Sequence, residues 1–361
     1  QDKGLVFKYL MDRRKDFIAY RGVLRSQIEH GLNGLSLGVH DSYRSPCNAS
    51  AQRCGAFGRA IMSEYSPMCG IAGFVTNHDS IADPALVRAM CDRILHRGPD
   101  GYGHFEEGPV ALGHLRLGII DLEGGWQPIG NEGGRLQVIF NGEIYNYLEL
   151  RGELEGKGHR FTTQSDTEVL VHLYEEEGER MTERLNGMFA FAIWDRHSGH
   201  LFLARDRFGK KPLYYSTCIP GYRIAFASEL KAFAAIPAAD FTFRPESVAD
   251  FLAFSYVPDP DSIYRSIRKL PPATTLLLDS QGPRLRRYWT LEFGEEAPAS
   301  REAVEAELDV LASGSVTRRM ISDVPLGAFL SGGVDSSAIV AYMSQAAAGR
   351  VKTFSIGFTS K

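Results

Sequence analysis

Apolar residues recur along this chain in two rhythms, and the switch between them falls after Pro298. Before it, short and nearly continuous apolar runs predict strands at 70–75, 110–120, 135–140, 187–195, 200–205, 213–217 and 223–227. Ser198-Gly199 joins two of them as a hairpin. Runs that stay apolar at successive positions imply sheets buried on both faces. A period of 3.6 predicts helices at 84–95, 147–155, 166–177 and 228–235. Asp83 and Pro84 supply the N-cap and first turn of the first, and Gly156 stops the second. Val169, Leu170, Leu173 and Tyr174 stripe the third. The expected architecture is two stacked sheets sandwiched between helical layers. Residues 236–298 read as a proline-containing transition with strands near 274–278 and 285–289. A long helix at 301–321 capped by Ser300 follows, then a strand at 324–330, a helix at 336–348 and a strand at 351–358. Strand, glycine turn, helix, strand is one βαβ unit of a parallel sheet.

At 361 residues the chain has room for two or three domains, and 44% hydrophobic with 23% charged residues is ordinary for a soluble globular protein. A net charge of −4 argues against a nucleic-acid partner, and no apolar stretch reaches the ~20 residues of a membrane helix. The five cysteines are odd in number and lack C-x-x-C spacing, which fits a reducing, cytoplasmic setting. The first 67 residues differ: they hold ten Lys/Arg and six Asp/Glu, begin at Gln1 and show no sustained period. An upstream-extended reading frame, a removable propeptide and an extra domain each account for them. The first is favoured, because Met68 sits where a start codon belongs. A strand-like run stops at Lys361, which gives the expectation that the chain is cut short there.

Two motifs carry chemistry. With Met68 removed, the run Met68-Cys69-Gly70-Ile71-Ala72-Gly73-Phe74-Val75 would place a thiol and a free α-amine on one residue. A thiolate is a strong nucleophile and an α-amine of pKa near ~8 is a usable base. Cys69 alone would then hold both halves of a nucleophile–base pair. The plainer alternative is a small buried cysteine on an apolar strand. The second motif, Ser331-Gly332-Gly333-Val334-Asp335-Ser336-Ser337, lies between a predicted strand and a predicted helix. Its glycines allow a tight turn, the helix start offers free N–H groups, and three hydroxyls complete an anion nest suited to pyrophosphate. It is not a Walker A loop, which requires G-x-x-x-x-G-K-[ST]. The alternative is a plain turn with Asp335 or Ser336 as helix N-cap.

In this order the two motifs resemble those of the glutamine-hydrolysing asparagine synthetases, in which a class II glutamine amidotransferase domain precedes an ATP-pyrophosphatase-type synthetase domain. His96-Arg97-Gly98-Pro99-Asp100, Phe140-Asn141-Gly142-Glu143-Ile144-Tyr145-Asn146 and Ser165-Asp166-Thr167-Glu168 agree with that family as well. So do residues 115–121, 187–191 and 204–214. The likeness covers residues 68–361. It implies a mixed α/β and α+β protein: an N-terminal-nucleophile αββα sandwich over 68–285, then the start of a parallel-sheet adenine-nucleotide-binding α/β domain over 286–361. Residues 1–67 would lie outside the mature enzyme.

The resemblance also implies roles. Cys69 would attack the glutamine carboxamide, with Asn141 and Gly142 as the oxyanion hole. Arg116 would clamp the α-carboxylate and Asp166 would accept the α-ammonium. Leu117, Gly118, Ile119, Ile120 and Glu143 would line the pocket, and residues 96–100 read as a buttressing loop without a catalytic role. In the second domain, ATP with Mg2+ would adenylate aspartate, and ammonia freed at Cys69 would displace AMP to give asparagine. Ser331, Gly332, Gly333, Asp335, Ser336 and Ser337 would hold the phosphates, Asp335 also the Mg2+, and Leu330 and Ile356 would contact the nucleotide. The expected partners are glutamine, aspartate and ATP, with neither nucleic acid nor membrane and with a homodimer as the assembly to test. Two rival readings remain open: amidation of another carboxylate, such as a sugar or polysaccharide precursor, and a non-catalytic relic with Cys69 buried mid-chain. The acceptor pocket is expected beyond Lys361.

Overall fold

A computed structural model describes residues 68–77, 80–294 and 300–357; the expectations for residues 1–67 lie outside them. In chain order its elements begin with β1 (Gly70–Thr76), α1 (Pro84–Asp92), β2 (Gly101–Glu107), β3 (Val110–Arg116), β4 (Ile129–Gly130) and β5 (Leu136–Ile144). Next come α2 (Tyr147–Gly156), α3 (Glu168–Glu177), β6 (Gly187–Asp195), β7 (His200–Arg205), β8 (Tyr214–Ser216) and β9 (Tyr222–Ala227). After these lie α4 (Pro245–Phe254), β10 (Arg268–Lys269), β11 (Thr274–Asp279) and β12 (Gly282–Arg287). The last four are α5 (Arg301–Arg318), β13 (Gly327–Phe329), α6 (Val334–Ala346) and β14 (Lys352–Phe354).

Two six-stranded sheets form, ordered β10-β8-β9-β1-β3-β2 and β12-β11-β7-β6-β5-β4. Their ladders are antiparallel. Side chains alternate across a strand, and three separate cores show where each face goes. Ile71 and Val75 of β1 meet Ile139, Ala190 and Leu203 between the sheets. Ala72 and Phe74 point the other way, onto Val87, Met90 and Ile94 at α1. Val138 and Phe140 of β5 likewise turn outward, onto Leu150 and Leu154 of α2 and Val169, Leu170 and Leu173 of α3. The order of layers is therefore helix, sheet, sheet, helix: the αββα sandwich. Every residue of β1 and β3 is buried, which is why these strands read as unbroken apolar runs.

The sequence pattern missed β2 and α4. Among the residues of β2, Gly101-Tyr102-Gly103-His104-Phe105-Glu106-Glu107, none is buried, because the strand lies at a sheet edge. On α4 only Ser247 is buried, although Val248, Phe251 and Leu252 recur at helical spacing. The predicted helix at 228–235 is a 3-10 turn over Leu230–Ala235. Two further corrections, at residues 117–120 and 166–167, have causes that lie in the site. In the last segment Ser300 caps α5 by accepting the N–H of Ala303 at 3.2 Å, as its position predicts. β13 and β14 pair in parallel, with Gly327, Ala328 and Phe329 opposite Lys352, Thr353 and Phe354, and α6 crosses between them. The predicted strand end at 358 lies outside the described residues. Among the described residues no helix is long and apolar enough to cross a membrane.

Candidate active site

Cys69 lies two residues before Ile71, which faces the interior between the sheets; Asn141 lies two residues after Ile139, which faces the same interior from the other sheet. Cys69 Sγ accepts the Leu117 N–H at 3.3 Å and lies 3.5 Å from the Leu117 carbonyl oxygen. Burial pushes the thiol pKa up, while the Leu117 bond, Lys211 and Arg97 pull it down. The resting group is a neutral thiol, so reaction requires a base.

The Cys69 backbone is held as firmly as its sulfur. Arg97 donates from Nε to the Cys69 carbonyl at 3.0 Å and from a terminal nitrogen to Glu229 at 2.9 Å. Glu229 also lies 2.9 Å from His96 and 3.1 Å from Lys231. Burial opposes ionisation of Glu229, but His96, Arg97 and Lys231 together hold its carboxyl well below the usual carboxylate range. The Ile71 N–H donates to Ser228 Oγ at 3.0 Å. Residues 96–100 thus do more than buttress the pocket. Sequence reading could quote the motif but could not see that its arginine meets Glu229, 132 residues away.

Asn141 is 1% exposed, and its Nδ2 has no hydrogen-bond partner among the described residues. An unpaired buried amide costs about 1–3 kcal/mol, so a folded protein carries one where something else uses the donor. At Gly142 a Cβ would collide with the Met188 carbonyl oxygen and crowd Phe189, so only glycine fits between β5 and β6. Asp166 is buried, and its Oδ2 accepts the Ile144 N–H at 2.8 Å. That bond ties the residue to β5, and α3 begins only at Glu168. Burial, with the neighbouring Glu143 charge, pushes its carboxyl up to about 7.

Beyond Arg116 the predicted strand 110–120 ends early because its backbone groups are used in the site instead of the ladder. Leu117 serves Cys69, the Gly118 N–H donates to Asp100 at 2.8 Å, and the Ile119 carbonyl accepts the Asp323 N–H at 2.9 Å. The Asp121 N–H donates to Asp323 Oδ2 at 2.7 Å. Asp323, which follows α5, thus ties the last segment to this loop. Arg116 is buried, donates to the carbonyls of Leu122 (2.9 Å) and Asp121, and stacks on Trp126 at 4.7 Å. In this state its fork organises the loop of Leu117, Gly118, Ile119 and Ile120.

The second motif stands apart from these residues. Gly332 has φ +81°, a backbone that favours glycine, and Gly333 is the N-cap of α6 with no side chain capping it. The expected alternative, Asp335 or Ser336 as cap, does not occur: Gly333 holds that position, so no side chain caps the end of α6 that attracts anions. Ser331 Oγ and Ser336 Oγ lie 3.0 Å apart, and Ser336 Oγ lies within hydrogen-bonding distance of the Gly333 carbonyl at 3.1 Å. The Ser336 hydroxyl therefore braces the loop. Leu330 bonds to Phe354 at the strand ends, and Ile356 is 60% exposed beside it.

The site thus places a thiol at the start of β1 and a buried amide on β5, on strands whose residues Ile71 and Ile139 meet between the two sheets of the αββα sandwich. A family model described as a glutamine amidotransferase domain matches residues 68–289, and one described as asparagine synthase matches residues 307–361. The chain belongs to the glutamine amidotransferase domain family. It is 39% identical over 295 residues to asparagine synthetase [glutamine-hydrolyzing] 1 of Bacillus subtilis (strain 168), covering 81% of this chain and 46% of that protein. To asparagine synthetase [glutamine-hydrolyzing] 3 of the same organism it is 39% identical over 278 residues, covering 76% and 45%. The chain thus spans about half the length of these curated relatives. Among solved structures, the glutamine phosphoribosylpyrophosphate amidotransferase from B. subtilis in complex with ADP and GMP aligns with TM-score 0.47 and 18% identity, over 79% of this chain and 65% of that one.

Proposed function

We propose that this chain hydrolyses glutamine at Cys69 and passes the ammonia to an ATP-dependent step that makes asparagine from aspartate. The buried Asn141 Nδ2 without a partner carries the reading. Once the Cys69 α-amine is free, it takes the thiol proton as Sγ attacks the glutamine amide carbon. The carbonyl electrons move onto oxygen, and the Asn141 amide and Gly142 N–H receive that oxyanion. Such a donor contributes about 2.7–4 kcal/mol to lowering the barrier. Collapse breaks the C–N bond, the amine returns its proton to the leaving ammonia, and water then cleaves the thioester to glutamate. Asp166 would accept the substrate ammonium, Arg116 its carboxylate, and Leu117, Gly118, Ile119, Ile120 and Glu143 would surround the chain. Arg97 keeps the Cys69 backbone in place throughout. A nucleophilic thiol must stay reduced, so the reading carries a cytoplasmic setting with it.

ATP, a substrate here, supplies the energy to activate a carboxylate. The start of α6, with Gly333 as its N-cap, and the left-handed Gly332 suit its phosphates, with Ser331, Gly333, Asp335, Ser336 and Ser337 around them and Leu330 and Ile356 at the base. Asp335 belongs to no group of three or more metal-ligating side chains among the described residues. One carboxylate is nevertheless enough for Mg2+ that is shared with phosphate oxygens. The deciding experiment supplies amide-15N glutamine, aspartate and ATP and follows the label. Label in asparagine supports the reading. Glutamate release without asparagine would move the acceptor to another carboxylate, and no glutamate release would overturn the reading altogether.

A further inference from the structure

On the outer side of the second sheet, away from Cys69, Glu132, His159, His172 and Glu175 each turn one ligand atom to within 4.8 Å of the others. They come from three places: the β4–β5 turn, the α2–α3 connection, and two positions a turn apart on α3. His172 Nδ1 lies 3.1 Å from Glu132 Oε2. His159 Nδ1 lies 3.7 Å from Glu132 Oε1 and 3.8 Å from Glu175 Oε2. Four ligands around Zn2+ at about 2.0–2.1 Å stand about 3.3 Å apart, so the set, now within 4.8 Å, would contract by up to about 1.5 Å on closing. His172 is completely buried, and among the described residues its ring nitrogens meet only the carboxylates of Glu132 and Glu168, neither in good hydrogen-bond geometry.

The surroundings match a ligating pair of histidines. Metal-bound imidazoles usually give their second nitrogen to a carboxylate. His172 Nε2 faces Glu168 Oε1 at 3.6 Å, and His159 Nε2 faces Glu176 Oε1 at 3.2 Å. Asn131 Nδ2 donates to Glu175 Oε2 at 3.2 Å, which orients that carboxylate. We propose that Glu132, His159, His172 and Glu175 bind one divalent transition-metal ion of the Zn2+ class. Two imidazoles favour zinc, copper or nickel over Mg2+ or Ca2+, and two carboxylates balance the charge. Four protein ligands leave no open position, so the ion is structural: it clamps α3 against the β4–β5 turn, behind the glutamine pocket. The alternative is that no ion binds and the two histidines and two glutamates are held by one another alone. This inference is independent of the amidotransferase reading.

The test uses the full chain carrying Cys69→Ala, so that the site thiol does not compete for metal. After chelator treatment, Zn2+ is titrated against a chromophoric chelator and Co2+ binding is followed by visible absorption. The expected result is about one ion per chain, the d–d bands of four-coordinate Co2+ without a thiolate charge-transfer band, and a melting midpoint that rises with zinc. His172→Ala and the more exposed Glu175→Gln should each abolish stoichiometric binding, and Glu168→Gln should weaken it by about 10–100-fold. Circular dichroism checks that the variants fold; if His172→Ala does not, Glu175→Gln decides. No stoichiometric zinc, a thiolate band, or binding unchanged in Glu175→Gln would each overturn the proposal and leave the four side chains paired only with one another.

Discussion

Replacing Asn141 by leucine should separate catalysis from stability. Leucine keeps the branched outline and heavy-atom count of asparagine, is bulkier, and has no donor. Asn141 is 1% exposed with Nδ2 unpaired, so its amide penalises the free protein by about 1–3 kcal/mol, which leucine removes. The same change deletes an oxyanion donor, which costs about 10²–10³ in kcat, or roughly 2.7–4 kcal/mol. The donor acts on charge that develops only in the transition state, so KM for glutamine should stay nearly constant. Glutamate release, coupled to glutamate dehydrogenase, gives kcat and KM, and urea unfolding gives stability. The expected outcome is a kcat lower by two orders of magnitude or more in a protein whose stability stays within about 2 kcal/mol of the parent, because relief of the unpaired amide offsets the added bulk. A kcat within about threefold of the parent, or a stability loss above about 2 kcal/mol, would show that the amide is structural and refute the reasoning.

Glu229→Gln should destabilise the fold by roughly 3 kcal/mol, read from denaturant midpoints, because Arg97 would stay buried with its charge unpaired. The kcat/KM for glutamine should rise with pH through about 7 as Asp166 ionises, and Asp166→Asn should lose that inflection. Since burial raises this carboxyl in the folded state, Asp166 opposes folding increasingly as pH rises from about 4 to about 7, and bound glutamine should relieve that trend in thermal melts. A chain starting at Gln1 and kept intact should be at least ~10²-fold slower as a glutaminase than one processed to start at Cys69, because an amide nitrogen has no basic lone pair. Equal turnover, with mass spectrometry confirming the long form, would exclude the α-amine as base.

The sequence alone determined what neighbouring residues settle among themselves. Unbroken apolar runs at 70–75 and 187–195 marked strands buried on both faces, and the Asp83-Pro84 and Ser300 signals fixed where two helices begin. Local motifs singled out Cys69 and the 331–337 loop, and the resemblance to the family pointed to Asn141. Only the tertiary structure decided which distant polar groups meet. Leu117 bonds the Cys69 sulfur from 48 residues away, Glu229 pairs with Arg97 from 132, and Asp323 ties the glutamine loop from 202. The two histidines and two glutamates on the far face were equally invisible. The reason is physical: local periodicity records whether a position is buried, whereas a polar contact depends on sheet order, register and loop path. Where those supply the partner, as at Leu117 and Ile119, they also overrule the local preference for strand.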